Sequence, residues 1–402
     1  MPLVISRYLL VVAFICLGNS LRANQVAELN AITMSSTSSY GRSVSLSGNT
    51  AIVGDFATDR AYVYRDNGGG NWQQIATLTD NVAGENQFGI SVSLEGNTAV
   101  VGSLMGNVVQ VFTENSAGAW NRTATLNPTN PSQAQGFGKS VSLSQGRVLV
   151  GAQRDDGIGG AGSAYVFDGN QGWSQVARLT GSPITSTARY GSSVALEGDT
   201  ALVGAPFDGG VSRRGAAYVY REDGLGNWSQ AAKLTANDPD DMPTLGYDVA
   251  VSGGTAVVSS PFAEAAYIYE ETPAGSWLQT AALTHPLGHF ASRFGISVDI
   301  EGDRLIVGSP SNQPNVFFYE RDSSGQWTYS GLLVVGKQGF IGDSVSLEGN
   351  LILASDTQSS TNAAYIFEAV PRVPEPTSFA LLVMSAASIV IYRERLIFIK
   401  KR

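Results

Sequence analysis

One cysteine and two histidines in 402 residues close off several kinds of chemistry at once. Cys16 lies inside an apolar leader run, so the chain beyond that run has no disulfide, no reactive thiol and no cysteine-held metal. His285 and His289, in "THPLGHF", have a spacing that binds metal on a helix. Pro286 and Gly288 between them break a helix, and the pair reads as loop residues without a role. Serine catalysis then has almost no base to draw on. Charge is sparse too, at 15% of residues, against roughly 25% in an average soluble protein. Glycine is what abounds, with 46 copies. Many short strands joined by tight turns produce such numbers; long solvated helices do not.

The two ends read differently from the middle. Residues 1–23 place Arg7 before the apolar run "YLLVVAFICL" and close on "GNSLRA". That is a secretory signal in outline, too short to span a bilayer, with cleavage expected after Ala23. At the other end, Pro374-Glu375-Pro376 precedes an apolar stretch over 379–392, followed by Arg393, Arg395, Lys400, Lys401 and Arg402. Fourteen helical residues span about 21 Å, short of the roughly 30 Å hydrocarbon core. Snorkelling arginines or local thinning make up the difference. The basic cluster is expected to stay cytoplasmic, with everything upstream outside. The two ends carry +2 and +3 of a chain total of −9, so the middle carries −14. Such a surface repels phosphate backbones and anionic lipids. Nucleic acid is excluded as a partner, and the membrane is met only through the tail.

The middle repeats itself. "VSLEGNTAVVG" at 92–102 returns as "VSLSGNTAIVG" at 44–54, "VALEGDTALVG" at 194–204 and "VDIEGDRLIVG" at 298–308. The glycine opening each copy falls at Gly41, Gly89, Gly138, Gly191, Gly246, Gly295 and Gly342. Each copy continues with an aromatic strand such as "AYVY" at 61–64, and the first six add a tryptophan with leucine six residues later. The spacing predicts four strands per unit and a seven-bladed β-propeller. In "SVSL" serine alternates with apolar residues, giving one face toward a neighbouring blade and one softer face. The "EGN" and "EGD" turns supply residues that tolerate positive φ, so the first hairpin is expected to be tight. The seventh copy lacks its fourth strand, while "QVAELN" at 25–30 resembles one. We expect the N-terminal strand to complete the last blade and close the ring, removing an exposed edge.

Several side chains are candidates for chemistry. The six tryptophans share one repeat position, which packing explains better than sugar stacking. Asp155 and Asp156 in "RDDGIGGAG", with Asp238, Asp240 and Asp241 in "NDPDDMP", lie in the longer inter-strand loops. As carboxylate clusters they suit a cation or paired acid–base work on a glycan, and as loop acids on an acidic protein they need no role.

Two resemblances sharpen the reading. "FG" before the first strand (Phe88-Gly89, Phe137-Gly138, Phe294-Gly295) and "GAP" after the second (Gly204-Ala205-Pro206) are similar to FG-GAP repeats, those of integrin α-chain propellers. Calcium-binding members of that family carry an Asp-rich loop between the first two strands. Here the place holds only a short turn, which cannot supply six to eight oxygens, so those calcium sites are expected to be absent and no cofactor is called for. The tail resembles the PEP-CTERM sorting signal, carried by Pro374, Glu375, Pro376, Arg393 and Arg395. That resemblance implies recognition and cleavage by an exosortase-type processing enzyme. The expected organisation is a signal peptide over 1–23, an all-β propeller over 24–372 and a sorting tail with a single hydrophobic helix over 373–402. The expected function is non-enzymatic binding or adhesion at the cell surface or in the matrix, with extracellular polysaccharide or another surface protein as partner. A carbohydrate-active hydrolase or lyase using the loop aspartates stays open, as does a structural coat protein with no specific ligand.

Overall fold

A computed structural model describes residues 23–369 except 32–37, 82–83, 85, 131–134, 156–159, 211–213, 238–243, 289–291, 312–314, 334–340 and 358–361. The leader and the sorting tail, with its hydrophobic helix, lie outside the described residues. Within them, 28 strands, numbered β1–β28 in chain order, form seven four-stranded antiparallel sheets. Six sheets take four consecutive strands each. The seventh runs β1 (Ala23–Leu29), β28 (Ala363–Ala369), β27 (Leu351–Asp356), β26 (Ile341–Glu348). The N-terminal strand thus completes the last blade, with Leu29 opposite Ala364 and Glu28 opposite Tyr365. The described residues form an all-β seven-bladed propeller.

The repeat is needed because the cores lie between blades and not within them. The second strands, such as Thr50–Asp55, are buried along their whole length. Each of the seven hydrophobic clusters joins two neighbours: Ile52 and Val63 of the first blade meet Phe88 and Val101 of the second. The last meets the first through Leu29, Leu353 and Ile366 against Val44 and Val53. A single blade would leave both of these faces wet, which is why one copy of the sequence cannot fold alone.

Close approach of the blades explains a glycine. A Cβ on Gly54, Gly102, Gly151, Gly204 or Gly308 would fall 2.1–2.2 Å from the carbonyl oxygen of the next blade's opening glycine. The first hairpins are two-residue turns, with Ser47 paired to Thr50 and Ser144 to Arg147. Glycine alone takes positive φ in most of them (Gly48, 56°), so the following Asn or Asp is not there for that purpose. In the third blade Gln145 takes it as well, at 51°.

Candidate functional site

The first strands form the inner wall of the ring: β2 (Tyr40–Ser47), β6 (Phe88–Glu95), β10 (Phe137–Ser144), β14 (Val194–Glu197), β18 (Val249–Ser252), β22 (Val298–Glu301) and β26. Each lies against the next, and β26 lies against β2. Such strands are sheet edges, so their outward N–H groups need acceptors. The alternate positions of "SVSLS" supply them. Ser43 Oγ accepts the Val92 N–H at 3.0 Å, Ser45 that of Leu94 at 3.1 Å and Ser47 that of Gly96 at 2.9 Å. The same stitch recurs as Ser93 to Leu143, Ser142 to Leu196 and Ser344 to Val44. Acids stand in for serine as Asp248 to Val298, Asp299 to Leu347 and Glu301 to Gly349. The serine face is therefore not merely soft: it supplies hydrogen-bond acceptors that tie the blades together around the axis.

Beyond this stitching, the start of each first strand opens into a cavity of about 380 Å³. All seven blades contribute the two residues after their opening glycine, among them Arg42, Ile90, Lys139, Tyr247, Asp248 and Asp343. Its rim is extended by Gln153, Arg189 and Phe207, with the Arg189 guanidinium 4.6 Å from the centre of the Phe207 ring. Among the described residues Arg42, Lys139 and Arg189 form no ion pair. Arg65, Arg178, Arg221, Lys233 and Arg321, by contrast, each hold a carboxylate. Desolvation pulls Lys139 down to about 8, with repulsion from Arg42 and Arg189 adding to the effect and Asp248 opposing it. Burial raises Asp248 to about 6 despite its hydrogen bonds from the Val298 and Val249 backbone and the nearby Lys139 and Arg42. Lower on the axis, burial raises Asp299 to about 7. At the far end, roughly 17 Å along a strand, Glu95, Glu197 and Glu301 accept N–H groups from the next hairpin turn. One mouth of the axis gathers unpaired cations; the other is acidic.

The residues singled out from sequence fall elsewhere. Asp155 is fully buried, accepts the Tyr165 hydroxyl at 2.7 Å and pairs with Arg178 at 2.8 Å. Asp208 repeats this in the fourth blade, with the Tyr218 hydroxyl and Lys233 both at 2.7 Å. There burial alone would raise the carboxyl, but Lys233, Tyr218 and Thr185 outweigh it and hold it below the usual range. Each aspartate lies four residues after the glycine of the Gly-Ala dipeptide and locks the loop to the third and fourth strands. Asp156, Asp238, Asp240 and Asp241 lie outside the described residues, as do His289 and the tail residues Pro374, Glu375, Pro376, Arg393 and Arg395. The tryptophans pack against the inter-blade clusters, as Trp72, Trp173 and Trp327 do. His285 is buried edge-on to Phe317, ring centres 4.7 Å apart.

Sequence reasoning passed over Arg42, Lys139 and Asp248. The signal was available once the copies are aligned on the opening glycine. Its second follower is serine in six copies and Asp248 in the fifth, while the first follower varies freely between Arg42, Ile90, Lys139, Ser192, Tyr247, Ile296 and Asp343.

Comparison with known proteins agrees with this architecture. The FG-GAP repeat family profile matches residues 72–110, 120–167, 173–220 and 228–269. Those four segments match FG-GAP repeats, and the described residues fold as a seven-bladed propeller. No curated protein sequence matches it. Among solved structures it is similar to a protein from Lactobacillus plantarum, at 14% identity and a TM-score of 0.54, covering 78% of this chain and 88% of that one. It is also similar to the C-terminal WD40 domain of Sif2, at 11% identity and a TM-score of 0.55, covering 88% of this chain and all of that one. These likenesses establish the fold.

Proposed function

We propose that this chain is an exported, non-enzymatic binding module that associates with extracellular polysaccharide at the cell surface or in the matrix. In this reading residues 1–23 direct export, and residues 373–402 hold the chain at the membrane until an exosortase-type enzyme processes it. No cofactor takes part. The observation that carries the binding role is the axial cavity. It collects unpaired cations, hydroxyls and the Tyr247 and Phe207 rings where all seven blades meet. Its volume falls within the roughly 300–1,000 Å³ typical of ligand sites. Loop aspartates as catalytic acids are less favoured, because Asp155 is committed to Tyr165 and Arg178.

The test is saturable binding of the purified full chain to polysaccharide from the producing cell, with and without calcium, followed by an assay for new reducing ends. Binding without sugar release supports the module. Absence of binding under both conditions supports a structural coat instead. Release of shorter sugars that Asp248→Asn abolishes would make the protein an enzyme.

A further inference from the structure

We propose that the cationic mouth of the axial cavity binds a carboxylate-bearing sugar unit, held by Arg42, Lys139 and Arg189. This rests on the polysaccharide-binding reading above and specifies the chemical class of the sugar.

The fold does not require charge at this place. Ile90, Ser192 and Ile296 occupy the position of Arg42 and Lys139 in other blades, so the wall closes as well with neutral side chains. Three cations gathered in one cavity repel one another, and among the described residues no ion pair neutralises them. The depressed Lys139 is a sign of that repulsion as well as of burial. A cluster of this kind, only partly offset by the carboxylates beside it, on a propeller whose net charge is strongly negative, is an anion-binding arrangement. Its attraction for an anion is strengthened by the low-dielectric walls around it.

The neighbouring groups select which anion. Asp248 and Asp343 share the cavity with the three cations, leaving a net charge of only +1. That balance suits a monoanion better than a doubly charged phosphate. Gln153 offers an acceptor for a sugar hydroxyl, and Tyr247 adds a donor. Phe207, beneath the Arg189 guanidinium, gives the rim an apolar surface for the face of a ring. A uronate unit presents one carboxylate, several hydroxyls and an apolar face on a single ring, and matches this set.

The experiment titrates the purified full chain with trigalacturonate, its methyl ester, a neutral trigalactoside and inorganic phosphate. Trigalacturonate is expected to bind best, and its affinity to fall as salt rises. Arg42→Gln with Lys139→Gln should weaken it by about tenfold or more, with unchanged melting. Asp248→Ser, which installs the residue of the other six blades, should tighten it several-fold. These opposite directions separate the proposal from a loss of folding. Equal binding of the methyl ester, or an unaffected double variant, overturns it. So does preference for inorganic phosphate, which would mark a general anion site. If the neutral sugar binds wild type and double variant alike, the polysaccharide-binding reading stands and the uronate inference falls. If no carbohydrate binds, both fall.

Discussion

The hydroxyl oxygen of Ser346 accepts the backbone N–H of Leu46 at 3.1 Å, across 300 positions of sequence. Beside it Ser344 accepts from Val44 at 3.2 Å. These bonds join the last blade to the first along the inner wall, while β1 joins the same blades along the outer edge by a backbone ladder to β28, bulged between Gln25 and Ala27. Closure is therefore double, and the two parts differ in strength. Ser346→Ala leaves one buried N–H without its acceptor, costing about 1–2 kcal/mol. Deleting residues 24–31 exposes the edge of β28 and removes Leu29 from the last inter-blade core. Thermal unfolding should show a small drop for Ser346→Ala and a collapse of the transition for the deletion. A truncated chain that melts like the intact one would mean that β1 contributes nothing to closure.

The glycines at blade junctions predict an asymmetry. At Gly102 an added methyl would sit 2.2 Å from the Gly138 carbonyl oxygen, which belongs to backbone and cannot swing aside. Gly102→Ala should destabilise by about 1–3 kcal/mol, the range of overpacked core substitutions. Ser259 and Ser355 stand at the equivalent place in the fifth and seventh blades, where the junction already holds a side chain. Ser259→Gly should therefore change stability by less than about 1 kcal/mol. Denaturant midpoints measured side by side check this; equal effects at the two sites would argue that the blades are free to move apart.

Asp155 distinguishes a lock from a ligand site. Its carboxylate is enclosed and holds Tyr165 and Arg178. Removing it strands a hydroxyl and a partly buried guanidinium, for which about 3 kcal/mol is expected. Asp155→Ala and Asp208→Ala should then lower the melting temperature similarly, because the two blades are built alike. Addition of calcium should leave both differences unchanged. If Asp155→Ala melts like wild type but loses a calcium response, the cation-site reading of that loop returns.

How much of this was readable in advance follows from what a repeat can and cannot say. Blade number, strand order and closure by residues 25–30 were legible, because period and strand pattern reflect local hydrogen bonding and the burial of both blade faces. The role of serine in "SVSLS" was not. Its acceptor function exists only when the next blade, about 50 residues on, presents N–H groups beside it, as Leu94 does to Ser45. Asp155 misled for a related reason: a loop acid looks solvated until Arg178, on the fourth strand, folds over it. Arg42, Lys139 and Asp248 are scattered over three copies and become one site only when the ring shuts.

Asp299 gives the last prediction, one of pH. In the sixth blade it takes the place of the serines at 45, 93, 142 and 346, accepting N–H groups from Leu347 at 2.7 Å and Ile300 at 2.9 Å. Burial, with added repulsion from Asp248 and Glu301, raises its carboxyl to about 7, whereas in the unfolded chain it titrates near 3.9. Between those values the folded protein binds more protons than the unfolded one, so this group makes stability fall as pH rises through that window. The cost is fully present above about pH 7 and absent below about pH 4. Serine keeps an acceptor for the Leu347 N–H and removes the charge. Asp299→Ser should thus be more stable than wild type by roughly 3–4 kcal/mol at pH 8, with the gain vanishing near pH 4. Denaturant titrations of both proteins across pH 4–8 provide the measurement. A gain independent of pH would mean that the benefit comes from packing and not from the buried charge, and a loss at pH 8 would show that the carboxylate is a better acceptor than its burial allows.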